Sequence, residues 1–97
     1  MSASLDTAYA RSERMVGRRI ADEYVLVPLV GEGAEIDSLF NLSRVAAFIW
    51  ERLDGNASGA VVVAAVVERF EVPRERAETD YLELVEQLLS IGAIREV

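Results

Sequence analysis

A capped amphipathic segment between Ser43 and Gly55 constrains the fold of this chain more than any other feature. Ser43 carries a hydroxyl that accepts from a first-turn N–H, and Asp54-Gly55 is a stop signal in which the glycine adopts a left-handed conformation. Between them, apolar residues recur at helical spacing: Ala46, Ala47, Ile49, Trp50 and Leu53. The pattern predicts a helix from Arg44 to about Leu53. We place Trp50 in the core, the alternative being an aromatic platform for a ligand.

The next apolar run, Ala60–Phe70, is compatible with two kinds of structure. Its valines favour a strand, and periodicity alone cannot assign an unbroken apolar run. Within it, however, four residues recur at helical spacing: Val63, Val66, Val67 and Phe70. Ser58 also provides a cap. We therefore predict a second, buried helix.

A third helix is predicted from Arg74 to Ile91. Pro73 suits a helix start because its missing N–H does no harm in a first turn, and Gly92 marks the end. The apolar stripe contains Ala77, Tyr81, Leu84, Val85 and Leu88, with Leu82 and Leu89 widening it. The acidic residues fall on the other side, as expected for a solvated face rather than for paired catalytic carboxylates.

A small antiparallel sheet is predicted before the first helix. Residues 23–30 (EYVLVPLV) are rich in β-branched and aromatic residues, and Pro28 indicates an edge position or a bulge. Residues 31–35 (GEGAE) fit a hairpin turn better than a nucleotide loop, because the third glycine and the βαβ context are missing. Residues 36–42 form the returning strand, and residues 18–21 add a further short strand.

The two ends of the chain show no strong pattern. Residues 1–16 are polar and rich in small residues, so we predict a mobile N-terminal arm followed by one domain over residues 17–97. Four arginines lie in this arm or directly after it, at positions 11, 14, 18 and 19, and we interpret them as a solvated charge cluster. Residues 93–97 (AIREV) are a tail or a closing strand.

Composition excludes most enzyme classes. The 97 residues include no Cys, His or Lys, which removes thiolate nucleophiles, the commonest general base and the P-loop lysine. A net charge of −7 opposes binding to a phosphate backbone. The longest apolar run, Ala60–Val67, is far shorter than the roughly 20 residues of a membrane span. We expect a soluble, cytoplasmic protein with no cofactor, no metal and neither nucleic acid nor membrane as a partner.

Two segments resemble the PqqD family. Leu42-Ser43, Ala46-Ala47, Ile49-Trp50 and Leu53-Asp54-Gly55 are similar to its "LN-x-x-A-x-x-I-W-x-x-L-D-G" segment. Asp80-Tyr81-Leu82, Leu88-Leu89 and Gly92-Ala93-Ile94 resemble its closing helix more loosely. The family's Leu-Asn is Leu42-Ser43 here, and its Gly-Trp near the end is Gly92-Ala93. The resemblance implies an α+β, winged-helix-like fold with a small three-stranded antiparallel sheet followed by three helices.

The resemblance also implies a function. PqqD-like domains are non-catalytic adaptors that bind the leader of a ribosomally made precursor peptide, for example in pyrroloquinoline quinone biosynthesis. They present it to a modifying enzyme, commonly a radical S-adenosylmethionine enzyme. In the family, the leader adds to the edge of the third strand and lies against the third helix. If the leader binds this chain in the same way, residues 36–42 are our candidate edge strand, and we expect the peptide-binding residues to be Asp37, Ser38, Leu39, Phe40 and Asn41 on the strand and Leu82, Val85 and Leu89 on the helix.

Physical reasoning supports strand addition but leaves alternatives open. An exposed sheet edge invites a peptide strand, with main-chain hydrogen bonds providing affinity and side-chain pockets selectivity. The same edge also fits a second copy of the chain, as in a homodimer. Leu82 and Leu89 fit the core as well as a groove. A winged-helix DNA-binding regulator is the competing function, although the last helix is acidic and Ala60–Phe70 contains only Arg69.

Overall fold

The computed structural model of the protein describes residues 3–28 and 40–97. The described chain forms an α+β fold of three helices and two small antiparallel sheets, as the sequence predicts for its class. In chain order, the elements are β1 (Ala8–Arg11), β2 (Met15–Ile20), β3 (Glu23–Pro28), β4 (Phe40–Leu42), α1 (Arg44–Glu51), β5 (Asp54–Ser58), α2 (Gly59–Phe70), α3 (Arg74–Ser90) and β6 (Ile94–Glu96).

The first sheet has the strand order β2-β3-β4 and corresponds to the predicted one. The short strand predicted at residues 18–21 is β2, which begins earlier, at Met15. The strand predicted at 23–30 ends at Pro28 within the described residues, and only Phe40–Leu42 of the strand predicted at 36–42 is described. The predicted hairpin turn at 31–35 lies outside the described residues.

A second sheet, in the order β5-β1-β6, is absent from the sequence prediction and corrects it. β1 is its central strand, paired with β5 through Ala8↔Ser58 and with β6 through Ala10↔Arg95. The prediction of a mobile arm over residues 1–16 is therefore wrong for β1 and for the start of β2. The four residues of β1 do not alternate in polarity, so they carry no local strand signal. The strand forms because they pair with β5 and β6, which lie about half a chain length away or more.

One side chain explains why the N-terminal segment is ordered. Tyr9 is fully buried in the core, and its hydroxyl accepts a hydrogen bond from the backbone N–H of Ser4 at 3.1 Å. The adjoining backbone is bonded to α2, because Gly59 and Ala60 donate to the carbonyls of Thr7 and Leu5 at 3.1 and 2.9 Å. Burial of one large aromatic, together with these bonds, ties the N-terminal segment to the helical layer.

The helices begin where the sequence predicts. Ser43 Oγ accepts from the backbone N–H of Ala46 at 3.1 Å, and Ser58 Oγ accepts from that of Val61 at 3.4 Å. The assignment of residues 60–70 as a helix is confirmed, with α2 starting one residue earlier at Gly59. Pro73 takes the N-cap position of α3.

The end of α1 differs from the prediction. The helix ends at Glu51, and Leu53, predicted as its last apolar residue, is fully buried between α1 and β5. Gly55 has a positive φ of 85°, as expected, but it lies within β5 rather than at the helix terminus. Asp54-Gly55, predicted to end the helix, therefore forms the start of β5 instead.

The core lies between the two sheets and the inner faces of the helices. All five residues of the predicted α3 stripe are buried, and Trp50 is 3% exposed, so its assignment to the core is confirmed. The largest fully buried side chains are Tyr9, Leu26, Ile49, Leu53, Tyr81 and Leu88. A single core thus joins elements from both ends of the chain.

Candidate functional site

The candidate site begins at the outer edge of β4. β4 pairs with β3 on one side only, in the register Tyr24↔Leu42, Val25↔Asn41 and Leu26↔Phe40. No strand in the described part of the chain pairs with its other side. An edge of this kind presents backbone N–H and C=O groups that a further strand can satisfy.

Alternating polarity explains how β4 is held in this position. Leu42 is buried and Phe40 packs against the core, whereas Asn41 between them is exposed. Because successive strand residues point to opposite faces, one face of β4 anchors the strand. Ser43 then turns the chain directly into α1, so the strand edge and the start of the helix are fixed together.

A groove of about 410 Å³ opens between α1 and α3 and includes Ser43, the residue that follows β4. Its α1 wall is formed by Ser43, Val45, Ala46 and Ile49, and its α3 wall by Arg76, Asp80, Glu83, Leu84 and Gln87. Ile49 and Leu84 are buried and give the groove an apolar floor. We call this cleft the helix groove.

Charged side chains form the rim of the helix groove. Arg76 Nε lies 3.6 Å from Asp80 Oδ2 in an exposed pair one turn apart, a geometry of little consequence for stability. Glu83 is exposed next to that pair. The rim thus carries more negative than positive charge around an apolar floor. The helix groove can therefore accommodate an apolar side chain of a ligand on its floor and a basic side chain at its rim.

The predicted strand residues are only partly described. Phe40 and Asn41 lie in β4, which leads to Ser43 at the helix groove. Asp37, Ser38 and Leu39 lie outside the described residues. The strand half of the predicted site therefore rests on β4 alone.

The predicted helix residues lie elsewhere. Val85 is fully buried in the core, where it contacts other apolar side chains rather than an open surface. Leu82 and Leu89 are half-buried and pack against the core. At about 100° per residue, these two leucines lie on one side of the buried α3 stripe, and Asp80, Glu83 and Gln87 lie on the other side. The structure does not bring Leu82 or Leu89 into the helix groove.

Sequence reasoning missed the residues that do line the α3 wall. Arg76, Asp80, Glu83 and Gln87 recur at spacings of three and four, which places them along one flank of the helix. That spacing was available as a signal, but it is also typical of a solvated face. Only the position of α1 opposite this flank distinguishes a groove wall from an exposed surface.

Neither a metal site nor a membrane span is found in the described ranges. No group of three or more acidic side chains in residues 3–28 and 40–97 is arranged to hold a metal ion. Among the same residues, no helix combines the length and the apolar character needed to cross a membrane.

Comparisons with known proteins identify the family of the chain. The family described as Coenzyme PQQ synthesis protein D (PqqD) matches residues 23–94. No curated protein matches the sequence.

Two solved structures are similar to the chain. One is TbiB1 in complex with the TbiA(beta) leader peptide, with 24% identity and a TM-score of 0.71, covering 89% of this chain and 94% of that one. The other is lasso peptide synthetase B1 complexed with the leader peptide, with 26% identity and a TM-score of 0.73, covering 91% of this chain and 98% of that one. The family match extends from β3 to the first residue of β6 and includes β4, α1 and α3, the elements of the candidate site. The chain belongs to the PqqD family.

Proposed function

We propose that this protein is a peptide-binding adaptor that performs no chemistry of its own. Its ligand is the leader of a ribosomally made precursor peptide, which adds as a strand to the outer edge of β4. The observation that carries the proposal is the outer edge of β4, which no described strand pairs and which ends at Ser43, a residue of the helix groove. Edge and groove together supply main-chain pairing and a side-chain pocket, the two components of recognition by strand addition.

The comparisons support this proposal. Both similar structures are complexes with leader peptides. Membership of the PqqD family supports the same class of ligand.

The adaptor presents the bound leader to a modifying enzyme in the cytoplasm. We propose a radical S-adenosylmethionine enzyme as that partner, in keeping with the family. Pyrroloquinoline quinone synthesis is one pathway for such a protein, and Gly92-Ala93 in place of the family's Gly-Trp favours a different peptide pathway. The β4 edge is also the natural pairing site for a second copy of the chain, so peptide and homodimer compete for it.

The competing function, a DNA-binding regulator, has less support. α3 exposes Glu75, Glu83 and Glu86, whereas its two arginines are each paired with a carboxylate, at 3.1 and 3.6 Å. A recognition helix needs free cationic side chains directed at base edges. Duplex DNA is therefore a control ligand in the experiments below.

The test is a titration of the isotope-labelled protein with the leader of the precursor peptide encoded beside its gene. We expect backbone amide shifts concentrated in β4 and along the helix-groove flanks of α1 and α3. Micromolar affinity, equivalent to about 8 kcal/mol, is within reach of strand addition with a few apolar anchors. Shifts absent from all three elements would contradict the proposal.

A matched pair of variants locates the pocket. Ala46→Glu places a carboxylate over the apolar floor of the helix groove, and Ala64→Glu makes the same change on the exposed side of α2. We expect Ala46→Glu to weaken leader binding at least tenfold, about 1.4 kcal/mol, and Ala64→Glu to leave it unchanged. Circular dichroism establishes that both variants are folded. Equal affinities for the two variants would place the peptide elsewhere.

A further inference from the structure

A second groove, of about 580 Å³, lies on the opposite side of the start of α1. One of its walls is formed by α1 and the end of α2. Arg44 and Phe48 on α1 and the C-cap residue Arg52 succeed one another at intervals of one turn, and α2 adds Arg69 and Phe70. Four of these five residues line the groove itself, and Arg52 stacks on the Phe48 ring at 3.4 Å from its centroid. We call this cleft the arginine groove.

Aromatic rings fix the shape of this wall. Phe48 and Phe70 pack edge to face with their centroids 5.3 Å apart, and Arg69 lies 5.1 Å from the Phe70 centroid. Arg52 is held over Phe48 by a hydrogen bond from Nη1 to the Phe48 carbonyl at 3.1 Å. Stacked guanidinium groups keep their edge N–H donors free to bind an anion.

The arginines of this wall are not neutralised by a neighbouring side chain of the described part of the chain. Arg44, Arg52 and Arg69 make no ion pair with a described carboxylate, as is true of most described arginines, and only Arg74 and Arg76 do. This occurs in a protein with a net charge of −7. Arg44 is moreover the first residue of α1, where the helix dipole disfavours a cation. Three cations around two rings, none with an ion pair among the described residues, form a surface that can receive negative charge from a ligand.

The opposite wall carries acidic as well as basic side chains. It comes from the β2–β3 turn, where Arg19 accompanies Asp22 and Glu23. Glu51 also borders the groove, but it lies toward Tyr24, where its charge adds to burial in raising the pKa of that tyrosine. Two of the three acids therefore lie on the sheet side and the third at the end of α1, whereas Arg44 and Arg69 lie at the start of α1 and the end of α2.

The arginine groove and the helix groove meet at Ser43. Both are lined by this residue, and the arginine groove also includes Asn41 and Leu42 of β4. A strand that pairs antiparallel to β4 runs from Leu42 toward Phe40, so the residues preceding it in the peptide reach Ser43. From there, the cationic wall begins one residue away, at Arg44.

We infer that the arginine groove is a second subsite for the same peptide, one that binds an acidic segment on the N-terminal side of the added strand. This inference rests on the proposed function, because it takes β4 as the pairing edge. The ligand chemistry is one or more Asp or Glu side chains, accompanied by an apolar or aromatic neighbour that packs on Phe48 and Phe70. Binding at this subsite selects precursor peptides by charge, separately from the apolar recognition in the helix groove.

The experiment is a selection from a yeast-displayed library of random 20-residue peptides on the full chain. It is run on the wild type, on the double variant Arg44→Glu/Arg69→Glu, and on Arg95→Glu as a control. Arg95 is an exposed arginine of β6, in the other sheet. We expect the wild type and the control to enrich peptides with Asp or Glu preceding an apolar segment. We expect the double variant to lose that acidic preference.

Binding of a synthetic peptide taken from the wild-type selection completes the test. We expect at least tenfold weaker binding to the double variant, with the difference shrinking at about 0.5 M salt because exposed charges are screened. Two results would contradict the subsite but not the proposed function. In the first, the wild type enriches apolar peptides without a preference for Asp or Glu; in the second, the double variant keeps that acidic preference. A wild-type selection that enriches no peptide would overturn the proposed function as well. Arginine-dependent binding of duplex DNA would reassign the groove to nucleic acid.

Discussion

Arg11 Nη1 donates a hydrogen bond to the main-chain carbonyl of Glu51 at 2.8 Å, joining the N-terminal strand to the end of the first helix. The same nitrogen donates to the carbonyl of Trp50 at 3.1 Å, and the Arg11 backbone N–H donates to that of Leu53 at 3.0 Å. Carbonyls in the last turn of a helix have no partners within it, and a cation there also interacts favourably with the dipole. β1 therefore caps α1, the helix that positions both grooves.

Tyr9→Ala tests whether β1 is required for folding. Truncating a fully buried aromatic in this core should lower the free energy of unfolding by about 3–5 kcal/mol. Chemical denaturation followed by circular dichroism measures the change. Val16→Ala, an exposed position on β2, is the control and should stay within about 0.5 kcal/mol of wild type. An unchanged midpoint for Tyr9→Ala would mean that the first strand is dispensable.

Ser43→Ala removes the cap between β4 and α1. We expect a loss of about 1 kcal/mol, because the backbone N–H of Ala46 then lacks its protein acceptor. The matched control is Ser90→Ala, whose hydroxyl only bonds a carbonyl of its own last turn at 2.7 Å. Thermal unfolding of the two variants gives the comparison, and equal melting temperatures would argue against the cap.

Gly17→Ala tests the close packing of β2 against the aromatic residues beneath it. A Cβ at this position would lie 2.8 Å from Trp50 Nε1 and 2.6 Å from Tyr24 Cε1, and Trp50 is held at 3% exposure. We expect a destabilisation of about 1–3 kcal/mol. Because Trp50 is the single tryptophan, its emission reports the displacement directly. Arg18→Ala on the same strand is the control, and a Gly17→Ala protein with native emission and stability would contradict the prediction.

Tyr81→Phe tests a buried hydroxyl in α3. The Tyr81 hydroxyl is buried without a hydrogen-bond partner in the described ranges. Removing it should leave stability unchanged at neutral pH or raise it by up to about 1 kcal/mol, because an unsatisfied polar group is a cost of folding. Urea denaturation measures the difference, and a loss above about 1 kcal/mol would show that the hydroxyl does have a partner.

The same tyrosine makes stability dependent on alkaline pH. Burial, with a smaller contribution from Tyr9, raises the pKa of Tyr81 from 10.0 to about 12. The unfolded chain therefore loses this proton first, so the contribution is constant below pH 10 and is lost as the pH rises toward 12. Between pH 10 and pH 12, the free energy of unfolding of the wild type should fall further than that of Tyr81→Phe, as measured by denaturation at a series of pH values. Parallel curves for the two proteins would contradict the assigned shift.

The helices show what local pattern is able to predict. Ser43, Ser58 and Pro73 each stand at a helix start, and the apolar stripe of α3 is buried as its spacing indicates. Caps and helical periodicity act within a few residues, so they are present in the sequence before any tertiary contact forms. For the same reason, the short segment from Ser43 to Gly55 was enough to indicate the family.

The site was predicted less completely, because a groove is a relation between elements. Leu82 and Leu89 are apolar residues outside the main stripe, which the sequence cannot distinguish from groove residues; in the structure they pack on the far side of α3 from the helix groove. The groove wall instead carries Asp80, Glu83 and Gln87, which look like an ordinary solvated face. Their role depends on where α1 crosses α3.

The sequence by itself determined the helices, the α+β class, the strand β3 and the absence of the residue types on which most catalysis depends. Tertiary structure alone decided the second sheet, because β1 acquires its strand conformation from β5 and β6, which are remote in sequence. It also decided that the strand before Ser43 ends between two grooves rather than one. Local propensity is set by neighbouring residues, whereas pairing and concave surfaces are set by residues that meet only when the chain has folded.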